Sequence, residues 1–213
     1  GPNCMNTIEE MLTGQIEMSD FIAQLKSDSN LQSAIRNLVP YEAAHSENHP
    51  LWKRISFESF QNSNYDFLHF LCKLCQFDGT IGDNLNVWSP IYKVYSYYHP
   101  ELPYTDKYKQ TYSLYLDVIR DCSDGPDVEQ MVEKIVLNAM KVAPKSKRLQ
   151  NAKKEVENQF HITDRKRPRW IQGAEWPMGA NSPMKFISQK SRGESVQYLF
   201  EDVDTGDGKI IEQ

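Results

Sequence analysis

"MKFISQKSRGESVQYLFEDVDTGDGKIIEQ", residues 184–213, decides the fold class, because nearly everything before it carries helical signals. "MKFISQK" and "VQYLFEDV" alternate apolar and polar side chains with the period of a strand, and "SRGES" between them is a hairpin connection. "DTGDG" is a second turn and "KIIEQ" opens a third strand; the chain stops inside that strand, so a few further residues are expected after it. The expectation is a three-stranded antiparallel meander. A sheet that small is marginal alone and needs a partner packed on its face.

The segment leading into it, "PRWIQGAEWPMGANSPMKFISQK", residues 168–190, contains the candidates for that role. Trp176 lies between Glu175 and Pro177 and reads as a rigid apolar plug, with Trp170 doing the same from the other end. Glu175 and Gln189 are the polar fasteners of such a clasp. The other reading makes the same residues a binding surface.

Upstream, helical periodicity runs from Thr7 to about Phe160. Ser19 is the expected cap of a helix carrying Phe21, Ile22 and Leu25, and Pro40 the expected stop of the next. "HPLWKRISFESFQNS" reads as one or two short helical pieces. "NYDFLHFLCKLCQF" is apolar almost all round, with His69, Lys73 and Gln76 on one narrow stripe, and is expected at the centre of the helical part. Leu85, Trp88, Tyr92 and Tyr95 share a face of the next helix, which Pro90 restarts or kinks. Tyr108, Tyr112, Tyr115 and Ile119 follow after a Thr105 cap. Val128, Met131, Ile135 and Ala139 line a helix opened by Pro126. A last, thinner helix bears Leu149, Ala152, Val156 and Phe160. The expected architecture is α+β: a mainly helical N-terminal bundle over 1–160 and, packed on it, a small antiparallel sheet subdomain over 161–213.

Charge is unevenly spread. The formal net charge is -5, yet residues 145–169 hold nine Lys and Arg against Glu155, Glu157 and Asp164, a local +6 that leaves -11 for the rest. Nucleic acid would suit the basic segment. Against it stand the lack of interleaved aromatic residues other than Trp170, the lack of a Gly-rich loop, and an acidic remainder. The favoured reading is a solvated helix and linker lying against the acidic body.

Chemistry-bearing motifs are few. The "CKLC" of Cys72 and Cys75 has no second ligand pair for zinc, and both thiols are expected mid-helix inside the apolar arc, unbridged and metal-free. From Asp202, the calcium-loop register puts Gly206 at position five and Gln213 at position twelve, so "DVDTGDGKIIE" reads as a turn and not as a metal site. Four cysteines, Cys4 included, are too few for a disulfide scaffold. "GPNCMN" resembles an expression scar before a start at Met5, and no leader or membrane span is evident, so a cytoplasmic protein is expected. No G-x-S-x-G, H-E-x-x-H, phosphate loop or dinucleotide fingerprint occurs. No cofactor, metal or catalytic residue is expected, although a Cys/His or Asp/His site assembled in space stays open. Of the tyrosines, Tyr97, Tyr98 and Tyr104 around "SYYHPELPY" are the expected exposed ones and candidate anchors for a partner.

The Trp170–Gln189 segment, an aromatic strand, a Glu-Trp-Pro corner, a Gly/Pro loop and "MKFISQ", resembles a short motif of uncharacterised bacterial proteins, some of them similar to toxin-immunity proteins. That resemblance implies a non-catalytic binding protein, an immunity-type inhibitor neutralising a basic toxin domain through opposite charge. A small enzyme or a nucleic-acid-associated factor using 145–169 is the alternative.

Overall fold

A computed structural model describes residues 6–123 and 125–213. Cys4, Met5 and Asp124 lie outside the described residues. The protein is α+β, with helices through the first three quarters and one three-stranded antiparallel sheet at the C-terminal end. It divides into two compact units, 1–110 and 111–213. The division does not follow the change from helix to strand, since it places the later helices with the sheet.

In the first unit, α1 (Thr7–Leu12) is capped by Asn6, whose side chain accepts from the Glu9 amide. α2 (Met18–Ser27) and α3 (Ser29–Arg36) meet at Asp28, which ends one helix and caps the next by accepting from Asn30 and Leu31. The cap of α2 is Glu17 and not Ser19, and the earlier start buries Met18 on the same face as Phe21, Ile22 and Leu25. α3 likewise stops at Asn37, before Pro40. After α4 (Tyr41–Ala44), the "HPLWKRISFESFQNS" stretch forms a 3-10 turn at Pro50–Lys53 and α5 (Phe57–Gln61). Trp52 packs on Phe57 and Phe60, and its indole donates to the Ala43 carbonyl at 2.6 Å.

α6 (Phe67–Leu74) corrects the expectation of an almost wholly buried helix. Phe67, Leu68, Phe70 and Leu71 are buried, but His69, Cys72, Lys73 and Leu74 face solvent. The helix is eight residues long. Cys75 is already extended and Phe77 takes a left-handed conformation, so the helical spacing that grouped Gln76 with His69 and Lys73 and set Cys75 mid-helix does not persist that far. α7 (Ile81–Tyr98) runs unbroken through Pro90. Its first turn holds the loop after α6: the Asp83 carboxylate, 8% exposed, accepts from the amides of Gln76 and Asp78, both at 2.8 Å.

The dividing point falls within α8 (Lys107–Ile119). In the second unit, α9 (Pro126–Ala139) buries Val128, Val132, Ile135, Val136 and Ala139, with Met131 only half-buried. It packs on α10 (Arg148–Gln159), which buries Ala152 and Val156. β1 (Lys185–Arg192), β2 (Ser195–Glu201) and β3 (Gly208–Glu212) follow in the order β1-β2-β3, all antiparallel, with a register shift at Ile187 between Phe186 and Ser188. Val196, Tyr198 and Phe200 alternate into the core along β2, so the period-two pattern of the sequence is the buried face of its central strand.

Candidate functional site

Trp176 is 3% exposed, with its ring edge-on to Phe160 at the end of α10 (5.2 Å between centroids) and against Phe200 of β2 (5.4 Å). Its indole nitrogen donates to the Met184 carbonyl at 2.7 Å, and its backbone amide donates to the Cys122 carbonyl at 3.1 Å. One side chain thus joins the helix end, the central strand and the chain entering β1. Trp170 is half-buried against Tyr198 and Phe200, and its indole donates to the Asp121 carbonyl.

The polar groups around these rings complete the attachment. Gln189 accepts from the Arg169 amide at 2.7 Å, and Glu175 accepts from the Gln213 side chain at 2.8 Å. Two residues unremarked in the sequence do as much. Tyr198 is fully buried, and its hydroxyl donates to the Arg169 carbonyl (2.9 Å) while accepting from the Ile171 amide (3.0 Å). Gln213 donates to the Gly173 carbonyl and accepts from the Gln172 amide. The period-two pattern marks Tyr198 as inward; nothing local marks its hydroxyl partners.

The turn after β2 is tied to the same segment. Asp202 accepts from the amides of Asp204 and Thr205 in its own turn and from Ala180 at 2.7 Å. These backbone donors, Ala180 first, hold its carboxyl below the usual carboxylate range. A methyl group on Gly179 would lie 2.7 Å from the Asp202 carboxylate, which is why a glycine precedes Ala180. Among the described residues, no group of three or more His, Cys, Asp or Glu is placed to hold a metal ion. No described helix is long and apolar enough to cross a membrane.

The cysteines do not behave as a pair. Cys72 is exposed; Cys75 and Cys122 are buried, and all three carry free thiols. The expectation that Cys72 shares the apolar arc is therefore corrected. Burial pushes the Cys75 and Cys122 thiols up to about 12, while burial and the neighbouring Asp66 raise Cys72. Iodoacetamide at pH 8 should accordingly alkylate Cys72 in the folded protein and leave Cys75 and Cys122 unmodified until denaturant is added. Peptide mapping by mass spectrometry reads the order directly. Equal labelling of Cys75 and Cys72 in the native state would contradict it.

The tyrosine candidates lie in the first unit and are half-buried, more enclosed than their expected exposure. Tyr97 and Tyr98 pack edge to face at 4.9 Å; Tyr97 also meets His49 at 5.5 Å and carries Arg54 over its ring. Tyr98 has its hydroxyl pKa raised by burial, then by Tyr97 and by Glu42, so Glu42 at the start of α4 is near enough to be felt. Tyr104 stands edge-on to Tyr92 and donates to the His99 carbonyl at 2.7 Å. The reading of "SYYHPELPY" missed the most exposed ring in this part, Tyr41, 75% exposed and stacked on His45 at 4.0 Å. His45 in turn packs on Tyr65.

The structure thus separates the candidates. Trp170, Glu175, Trp176 and Gln189 are engaged inside the second unit; Tyr97, Tyr98 and Tyr104 each keep part of a ring at the surface of the first. Comparison with known proteins finds no matching family model, no similar curated protein and no similar solved structure.

Proposed function

We propose that the chain is a non-catalytic binding protein, an immunity-type inhibitor that neutralises a basic toxin domain through the aromatic and acidic surface of residues 1–110. The observation carrying this reading is the placement of charge. Residues 1–110 contain 13 Asp and Glu against 8 Lys and Arg, a net -5, whereas residues 111–213 are balanced at 16 of each. The whole formal charge of the protein therefore resides in the unit that also presents Tyr41, Tyr97 and Tyr98. Glu42, Glu47 and Glu101 are exposed in the same unit. Tyrosine offers broad contact area with few rotors to immobilise, and carboxylates around it steer a cationic partner.

The burial of Trp176 and the half-burial of Trp170 support the same division of labour, since both rings are engaged within the second unit. The test begins with affinity purification from the native host and continues with stopped-flow association of the captured partner. The expected partner is a basic protein whose association rate falls as salt rises, because steering is screened over about 8 Å at physiological ionic strength. Reversing Glu42, Glu47 and Glu101 to Lys should slow association roughly tenfold or more and leave dissociation nearly unchanged. Turnover of a substrate by the chain alone, or nucleic acid as its sole ligand, would reject the inhibitor reading.

A further inference from the structure

α10 separates two open grooves of the second unit. One, of about 750 Å³, is lined by Asn151, Lys154, Asn158, His161 and Lys185, with Glu155 and Glu157. The other, of about 700 Å³, is lined by Gln150, Lys153, Lys154 and Arg165, with Glu157 and Asp164. Lys154, Glu157 and Ile162 belong to both, so this part of the helix is the ridge between them.

The carboxylates and the cations of this surface are in different situations. Glu157 is paired with Arg167, and Glu155 accepts from Gln159; both are half-buried. Gln150, Asn151, Lys153, Lys154 and Asn158 are exposed, so the outer face of α10 presents Lys, Asn and Gln around the half-buried, Arg167-paired Glu157. None of Lys145, Lys147, Lys153, Lys154, Arg165 and Lys185 makes an ion pair among the described residues. Asp164, exposed at the edge of the second groove, makes no ion pair among the described residues, and neither does Glu155. Of the expected solvated helix and linker, Lys145, Lys147, Lys153, Lys154 and Arg165 are exposed, while Arg167 is paired with Glu157.

We infer that α10 and its flanking grooves are a docking surface for double-stranded DNA, with the helix in the major groove and the two phosphate strands in the grooves beside it. The helix is roughly 18 Å long at 1.5 Å per residue, and the major groove, about 12 Å wide, admits it. Lys153 and Arg165 on one side, and Lys185 and His161 on the other, face where the two backbones pass. Asn151 and Asn158, on the first-groove side of the ridge, are donor–acceptor side chains suited to base edges.

Other anionic partners fit less well. A lipid surface calls for large apolar side chains beside the cations, and the outer face of α10 has none. A single strand calls for stacking rings, and Trp170 is already packed on Tyr198 and Phe200. Duplex RNA has a major groove too narrow for a helix. Protein interfaces are depleted of lysine where this surface is rich in it. The inference concerns residues 145–185 and is independent of the protein partner proposed for residues 1–110.

Fluorescence anisotropy with a labelled DNA duplex of about 20 base pairs and mixed sequence tests it. Binding is expected in the range of roughly 10⁻⁶ to 10⁻⁴ M at physiological salt and tighter at 50 mM, with log K falling linearly in log salt. The double variant Lys153→Glu/Lys154→Glu should bind at least about tenfold more weakly and reduce the salt slope by about 2. Lys185→Glu, on the other side of the ridge, should weaken binding on its own. Circular dichroism and melting confirm that these variants fold. No binding at 100 μM protein in 50 mM salt, or unchanged binding by the folded variants, would overturn the assignment. So would equally effective competition by duplex RNA, polyglutamate or anionic vesicles, which would mark a surface for polyanions in general.

Discussion

Trp176→Ala should destabilise the protein by about 3–5 kcal/mol, the scale for deleting a large buried aromatic side chain. The ring fills the space bounded by Phe160 and Phe200, so alanine leaves a cavity where the end of α10 meets β2. The deletion also orphans the Met184 carbonyl, which accepts the indole proton at 2.7 Å in a buried setting. At about 2–4 °C per kcal/mol for a chain of this size, the melting midpoint should fall by on the order of 10 °C. Trp176→Phe separates the two contributions. It keeps most of the ring and loses the donor, so it should cost about 1–3 kcal/mol, the penalty of an unsatisfied buried acceptor. An alanine variant melting with the wild type would show that the segment is not what holds the second unit together.

Asp83→Ala should cost about 3 kcal/mol in the first unit. The carboxylate is a latch: each oxygen accepts one amide of the loop between α6 and α7, and hydrogen bonds to a charged group contribute about 1.5–3 kcal/mol each. Gln76 and Asp78 are exposed, so water partly replaces the lost acceptor and the sum is not reached. The charge also sits in the first turn of α7, where the helix dipole favours a negative group. Asp83→Asn retains one acceptor oxygen and turns the amide donor toward a second N–H, so it should lie between alanine and the wild type. Urea denaturation of the three proteins gives the order. Equal midpoints would mean that the loop is held by other contacts.

Much of the fold was legible because it depends on neighbours in sequence. The alternation of Val196, Tyr198 and Phe200 announces the covered face of β2, and "SRGES" and "DTGDG" punctuate the strands on either side. Pro126 opens its helix, and Lys107 at the head of α8 donates its amide to the Thr105 hydroxyl. Trp176 beside Pro177 reads as an apolar plug from chemistry alone, and both residues are buried. Boundaries were less legible. Ser19 has the right chemistry for a cap, but burying Met18 moves the cap of α2 back to Glu17. α6 likewise ends at Leu74, just before the Asp83 carboxylate takes up the Gln76 and Asp78 amides, and of the two cysteines Cys72 lies outside while Cys75 is buried.

By itself, then, the sequence determined which segments are helix and strand, that the sheet is a meander with one apolar face, and where cations and carboxylates are concentrated. These follow from side-chain period, turn residues and composition, all of which act over a few neighbouring positions. Tertiary structure alone decided which polar groups meet. Asp202 reaches the Ala180 amide, Tyr198 spans Arg169 and Ile171, and Gln213 ties back to Gly173 and Glu175. It also decided that Arg167 finds Glu157 while Lys153 and Lys154 face solvent. The physical reason is range. A hydrogen bond or ion pair needs its partners within about 3 Å, and residues dozens of positions apart come that close only after the apolar faces have packed.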